Sequence, residues 1–153
     1  MTSTFSGKKI LVVDDVESVR EDLKAQYQSL GLVVVGAVTN GIEALDFLAK
    51  QQVDLVSLDI IMPEMDGIEC FRRIKAQGLK VLPFFVSWLA ADPKVADALK
   101  TEIPADLFQG KPVNQASLRE RIAKVLADPQ VGQVTELVPE AQTPSENTED
   151  VAA

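Results

Sequence analysis

Three acids, a serine and a lysine share one kind of position in this 153-residue chain, each standing just past a short, mostly apolar run. Asp14 and Asp15 follow the run from Lys9 to Val13, and Asp59 follows Val53 to Leu58. Ser87 follows Val81 to Val86, and Lys111 comes after Ala105 to Gln109. Carboxylates gathered closely repel one another unless positive charge sits among them, and a hard divalent cation with oxygen ligands is the natural solution. Mg²⁺ prefers one or two carboxylates together with water and a phosphate oxygen. Lys111 would add a point charge for phosphate, and Ser87 a hydroxyl donor. Asp59 is then a candidate nucleophile, because a carboxylate that attacks phosphorus gives an acyl phosphate whose transferring oxygens the cation and lysine stabilise. Taken singly, each residue also has an ordinary reading: Asp14 or Asp15 as a helix cap, Ser87 as the start of a turn, Lys111 as an exposed charge. The five acquire meaning together if the fold brings them to one edge.

The elements that would do so are legible as alternating patterns. Apolar runs at Lys9 to Val13, Leu32 to Val38, Val53 to Leu58, Val81 to Val86 and Ala105 to Gln109 predict five short strands. Pro63 and then Asp66-Gly67 stop the third, and Pro83 belongs near the start of the fourth or at a sheet edge. Between the runs the apolar spacing changes to three and four. Val16, Val19, Leu23, Tyr27 and Leu30 predict one helix, closed by Gly31. Asn40 and Glu43 form a capping-box pattern ahead of a second, whose inner face is expected at Leu45, Leu48 and Ala49. Asp66 caps a third, lined by Ile68, Phe71 and Ile74 and stopped by Gly78. Asp92-Pro93 precedes a fourth, with Val95, Ala96 and Leu99 inward. Asn114 opens the fifth, which buries Leu118, Ile122, Val125 and Leu126.

Strict alternation with short loops calls for a parallel sheet covered on both faces. The expected class is α/β: a flavodoxin-like, doubly wound (βα)5 three-layer sandwich with strand order 2-1-3-4-5. In that order strands one and three end side by side at the switch point, where ligands bind. Asp14, Asp15 and Asp59 would meet there.

Composition narrows the function. At 46% hydrophobic and 25% charged, the chain fits one domain with a full core, expected over residues 7 to 127 behind an N-terminal extension, 1 to 6. Residues 128 to 153 hold six acids and no Lys or Arg, leaving the rest of the −8 chain at only −2. That acidic, proline-bearing tail lacks aromatic residues and is expected to be disordered. No basic cluster exists for phosphate backbones, so direct nucleic-acid binding is disfavoured. The single Cys70 reads as a packing residue in a helix. With no signal-like segment and no apolar run long enough to span a bilayer, the cytoplasm is the expected compartment. The absence of His removes imidazole ligands and His-based triads.

Over residues 7 to 127 the chain resembles the receiver domain of two-component response regulators, of the stand-alone, chemotaxis-regulator-like type. The resemblance rests on Val12-Val13-Asp14-Asp15, Leu58-Asp59, Met62-Pro63, Met65-Asp66-Gly67, Ser87 and Lys111-Pro112. It implies that Asp59 accepts a phosphoryl group. It also implies Mg²⁺ (or Mn²⁺) held by Asp14, Asp15, Asp59 and the backbone carbonyl of Ile61. Lys111 would contact the phosphoryl group, with Ser87 as switch hydroxyl, Phe108 as switch aromatic and Lys111-Pro112 a cis bond. Such a protein is not an enzyme but a phosphoacceptor. Its donor is a sensor histidine kinase or histidine phosphotransfer protein. Its downstream protein partner binds the face of the predicted fourth helix, fifth strand and fifth helix.

Trp88, where the family usually has a small residue, is expected to crowd the entrance to the site, and Ile61 and Leu89, which the resemblance places beside the phosphoryl group, offer no polar group to a water. A constitutive adaptor working without phosphorylation is the leading alternative, yet no acid and no lysine is lost. An aspartyl-phosphate hydrolase needs Asp-x-Asp, whereas Val16 stands where the second acid should be.

Overall fold

The computed structural model describes residues 5–88, 107–111 and 113–127. Its strands are β1 (Lys9–Val13), β2 (Val33–Val38), β3 (Leu55–Leu58), β4 (Leu82–Ser87) and β5 (Phe108–Gly110). The helices are α1 (Glu17–Ser29), α2 (Gly41–Lys50), α3 (Gly67–Ala76) and α4 (Gln115–Ala127). All strand pairs are parallel, in the order β2-β1-β3-β4-β5 expected from the alternation. The expected helix after Asp92-Pro93, Leu89, the Lys111-Pro112 bond and the tail lie outside the described residues.

Right-handed crossovers decide the layers. The chain moves one way from β1 to β2 and the other way from β2 past β1 to β3, so α1 and α2 cover opposite faces. The step from β3 to β4 continues in that second direction and places α3 beside α2. On the other face α4 is tied to α1 by Gln115 Nε2, which donates to the Gln26 carbonyl at 3.3 Å.

Burial follows strand position. Ile10, Leu11, Leu55, Val56, Phe84 and Phe85 are completely buried, as continuous apolar runs in a two-faced parallel sheet must be. Each such side chain contributes roughly 1.5–3 kcal/mol. Edge strand β2 is only half-buried beyond its exposed first residue, Val33. Phe71 on α3 meets Phe85 edge-on, with ring centroids 5.5 Å apart, which fixes the helix over β4. Tyr27 on α1 and Ser57 on β3 share a buried hydroxyl–hydroxyl bond of 2.6 Å. Cys70 is fully buried against Gly41, and burial pushes its thiol up to about 12.

The predicted helix signals act as their chemistry requires. Asn40 Oδ1 accepts the Glu43 N–H, while Glu43 Oε1 reaches back one residue further than a capping box, to the N–H and hydroxyl of Thr39. Asp66 and Asn114 cap α3 and α4 through the N–H groups of Glu69 and Ser117. Gly31 and Gly78, at φ 96 and 69, end α1 and α3 with paired bonds back to the last turn. Pro83 lies early in β4. Because the Leu82 N–H points to Asp54 on the β3 side, the nitrogen of Pro83 faces the β5 side, where pairing begins only at Phe85.

Two expectations need correction, and a third is only partly covered by the described residues. Val16 caps α1 rather than lining it, and is 45% exposed, because the Asp14 carboxylate takes its N–H and turns the chain before the helix starts. The inner face of α2 is Gly41, Ala44 and Leu48, with Leu45 half-buried and Ala49 exposed. Close packing on α3 and the loop before it selects the small residues there: a Cβ on Gly41 would lie 3.1 Å from Cys70 Cβ and 2.9 Å from Met65 Sδ. Strand β5 is observed from Phe108, so the start expected at Ala105 falls outside the described residues.

Candidate functional site at the carboxyl edge of the sheet

Asp14 is the first residue beyond β1, and its N–H still reaches the Val38 carbonyl of β2 at 3.1 Å. Asp59 stands likewise beyond β3, donating to the Val13 carbonyl at 3.0 Å. The interstrand ladder thus places the two acids side by side, as the strand order predicted. Asp15 joins them: one carboxylate oxygen from each of Asp14, Asp15 and Asp59 lies within 4.8 Å of the others. Asp14 is fully buried, Asp59 is 7% exposed and Asp15 is exposed.

Lys111 arrives from the far end of the chain, just past β5. Its N–H donates to the Ser87 carbonyl at 3.1 Å, which locks it to the end of β4. Its ammonium reaches Asp14 Oδ2 at 2.6 Å and stands 3.6 Å from Asp59 Oδ2. Ser87, the last residue of β4, is buried and gives its hydroxyl hydrogen bond to Asp59. All five strand-end residues therefore meet.

Charge is not balanced by this set, since three carboxylates face one ammonium. Burial raises the Asp59 carboxyl above the usual range. Lys111 opposes that shift and Asp14 adds to it, while the Ser87 hydroxyl and the Ile60 N–H, 2.8 Å from Oδ1, pull it back. An all-oxygen, net negative cluster with an exposed member fits a hard divalent cation that keeps part of its water shell. Phe108 opens β5 half-buried, paired in register with Phe85. Ile61 lies two residues past Asp59, its side chain 61% exposed. Trp88, expected at the entrance to the site, directly follows the end of β4 and is 61% exposed.

Two residues to which the sequence reading gave no role in the site support it. A Cβ on Gly67 would collide with the Asp59 backbone carbonyl, and the Gly67 N–H holds the Ile60 carbonyl at 2.8 Å. Arg20, on the first turns of α1, donates to the main-chain carbonyl of Asp14 at 2.8 Å. Its only sequence signal is a lone cation between Asp14-Asp15 and Glu21-Asp22.

Comparison with known proteins agrees with this geometry. Residues 10–123 match the response regulator receiver domain family. The chain is 33% identical over 119 residues to the chemotaxis protein CheY of Thermotoga maritima, covering 78% of this chain and 98% of that one. It is also 33% identical over 120 residues to the alkaline phosphatase synthesis transcriptional regulatory protein PhoP of Bacillus subtilis, covering 78% of this chain and 49% of that one. The chain spans half or less of the length of PhoP and of two protein-glutamate methylesterases it matches. A CheX–CheY complex with BeF3 and magnesium from Borrelia burgdorferi superposes with a TM-score of 0.70 at 28% identity, covering 80% of this chain and 92% of that one. The receiver domain of a Pseudomonas aeruginosa sensor histidine kinase, with magnesium coordinated in its active site cleft, also gives 0.70, at 25% identity over 80% of this chain and all of the other. No helix among the described residues is long and apolar enough to cross a membrane. With its strand order, its strand-end acids and its buried lysine in place, the chain belongs to the response regulator receiver domain family.

Proposed function

We propose that this chain is a phosphoacceptor switch of the cytoplasm, taking a phosphoryl group on Asp59 and signalling through a changed protein-binding surface rather than acting as an enzyme on a separate substrate. The observation that carries this reading is the Lys111 ammonium, buried 2.6 Å from Asp14 and 3.6 Å from Asp59 beneath an exposed third acid. Asp14, Asp15 and Asp59, with the Ile61 carbonyl, would hold Mg²⁺ or Mn²⁺. A bound divalent cation supplies positive charge to the phosphoryl oxygens. An Asp59 carboxylate oxygen forms the new bond to phosphorus as the bond to the donor breaks, and the electron pair leaves with the donor nitrogen or acyl oxygen. Having no His, the chain relies on a donor in trans, a histidine kinase, a phosphotransfer protein or a small acyl phosphate.

Lys111 then binds a phosphoryl oxygen, and Ser87 moves its hydroxyl from the carboxylate to the phosphate. Because the Ser87 carbonyl already accepts the Lys111 N–H, that movement is transmitted to β5 and to Phe108. Driving a two-state switch nearly to completion takes about 5.5 kcal/mol of differential stabilisation. New charge-assisted hydrogen bonds at Lys111 and Ser87 contribute in that direction.

Incubation with acetyl phosphate and Mg²⁺ tests the reading by mass spectrometry. The wild type should gain one phosphoryl group, and Asp59→Asn or a chelated sample should gain none. Equal labelling of Asp59→Asn, or indifference to the chelator, would overturn it.

A further inference from the structure

The carbonyl of Asp14 lies one residue beyond the last rung joining β1 to β2, where Val13 stands opposite Val38. No backbone N–H among the described residues meets it; Arg20 Nη1 does, at 2.8 Å. Glu43 stays charged because the Thr39 N–H and hydroxyl donate to its carboxylate, and Arg20 adds its charge nearby. Thr39 directly follows Val38, the residue whose carbonyl receives the Asp14 N–H. Backbone and side-chain bonds thus tie the end of β2 to the Asp14 N–H and to Glu43, while Arg20 reaches the Asp14 carbonyl from α1.

The Arg20 contact matters for Asp15. The Asp14 carboxylate is fixed by Lys111 and by the Val16 N–H, but Asp15 is exposed and makes no hydrogen bond or ion pair among the described residues. Its carboxylate is placed only by its backbone, and the peptide plane between Asp14 and Asp15 is the one Arg20 grips. We propose that Arg20 is a positioning residue for the divalent-cation site, orienting the Asp15 carboxylate through the Asp14 carbonyl without itself touching the cation. The inference rests on the cation site of the proposed function and adds its preorganisation. A guanidinium suits the task because its planar fork carries charge and directed donors together, where an ammonium is only a point charge.

Charge and position predict opposite signs, which makes the inference testable. Acting only as a positive charge near three carboxylates, Arg20 would repel a cation, and Arg20→Met would bind it more tightly. Acting as a positioner, it preorganises a ligand, and Arg20→Met would bind more weakly. Mn²⁺ binding is followed by the loss of the free-ion paramagnetic resonance signal in the wild type, Arg20→Met and Arg20→Lys, with circular dichroism melting in parallel. Affinity should fall at least threefold in Arg20→Met, with Arg20→Lys between it and the wild type. Should Arg20→Met not fold, Arg20→Lys decides alone, since its charge is unchanged: weaker binding supports the inference and equal binding overturns it. Arg20→Met that binds Mn²⁺ as tightly as the wild type, or more tightly, overturns this inference only. A wild type that binds no Mn²⁺ overturns the cation site and this inference with it.

Discussion

Lys111 Nζ lies 2.6 Å from Asp14 Oδ2, an ion pair between side chains 3% and 1% exposed that come from opposite ends of the domain. Taking both charges out of water is costly, and their attraction offsets that cost only while both partners are present. The pair is therefore better understood as equipment of the site than as a source of stability.

Removing the lysine should expose this imbalance. Lys111→Met leaves Asp14 buried without its cation and Asp59 without its nearest positive charge. In metal-free buffer the variant should lose about 3 kcal/mol of stability, in line with breaking a buried pair. Magnesium should restore part of the loss. Chemical denaturation with and without the ion measures both effects, and a variant as stable as the wild type in chelator would contradict them.

The raised Asp59 carboxyl sets a direction for pH. Its ordinary value is 3.8, and the folded value lies above it, chiefly through burial. Between those two values the folded state holds more protons than the unfolded chain, so stability falls as pH rises through the window and is recovered as pH falls. Metal-free protein should accordingly gain stability as the buffer is acidified into that window. Asp59→Asn should lack this particular gain, which paired melting curves will reveal.

Gly67 packs its backbone onto the Asp59 carbonyl, so Gly67→Ala forces a methyl group against main chain that cannot swing aside. Overpacking of this kind costs about 1–3 kcal/mol. Because the displaced atom belongs to Asp59, phosphorylation by acetyl phosphate should slow as well. Wild-type stability together with wild-type labelling would show that α3 shifts to make room.

Cys70 should be inert in the folded protein. Its thiol is completely buried and pushed up to about 12, and only the thiolate is nucleophilic. A thiol reagent at neutral pH should label it only as the protein unfolds, at a rate that rises with denaturant. Prompt native labelling would mean that α2 and α3 separate readily.

The local pattern alone carried the described elements, their order and the five residues at the strand ends. Strand ends are marked by chemistry within a few residues: Asp14-Asp15 cannot extend a buried run, Pro63 and Gly67 interrupt another, and the caps Asn40, Asp66 and Asn114 use their own side chains. Alternation with short loops and the fixed hand of crossovers then leave few sheets to choose from. Close approach between distant segments is different, because periodicity specifies a face but neither its exact phase nor its depth. Hence Val16 left the helix face it matched, and Gly41 and Ala44, which carry little hydrophobic signal, joined the expected Leu48 on the inner surface of α2. Gly67 against the Asp59 carbonyl, Arg20 on the Asp14 carbonyl and the unequal reach of Lys111 to its two acids are contacts with backbone or across the whole chain. They exist only once crossovers have brought strand ends together, since a main-chain carbonyl has no identity in the sequence until folding decides which side chain it meets.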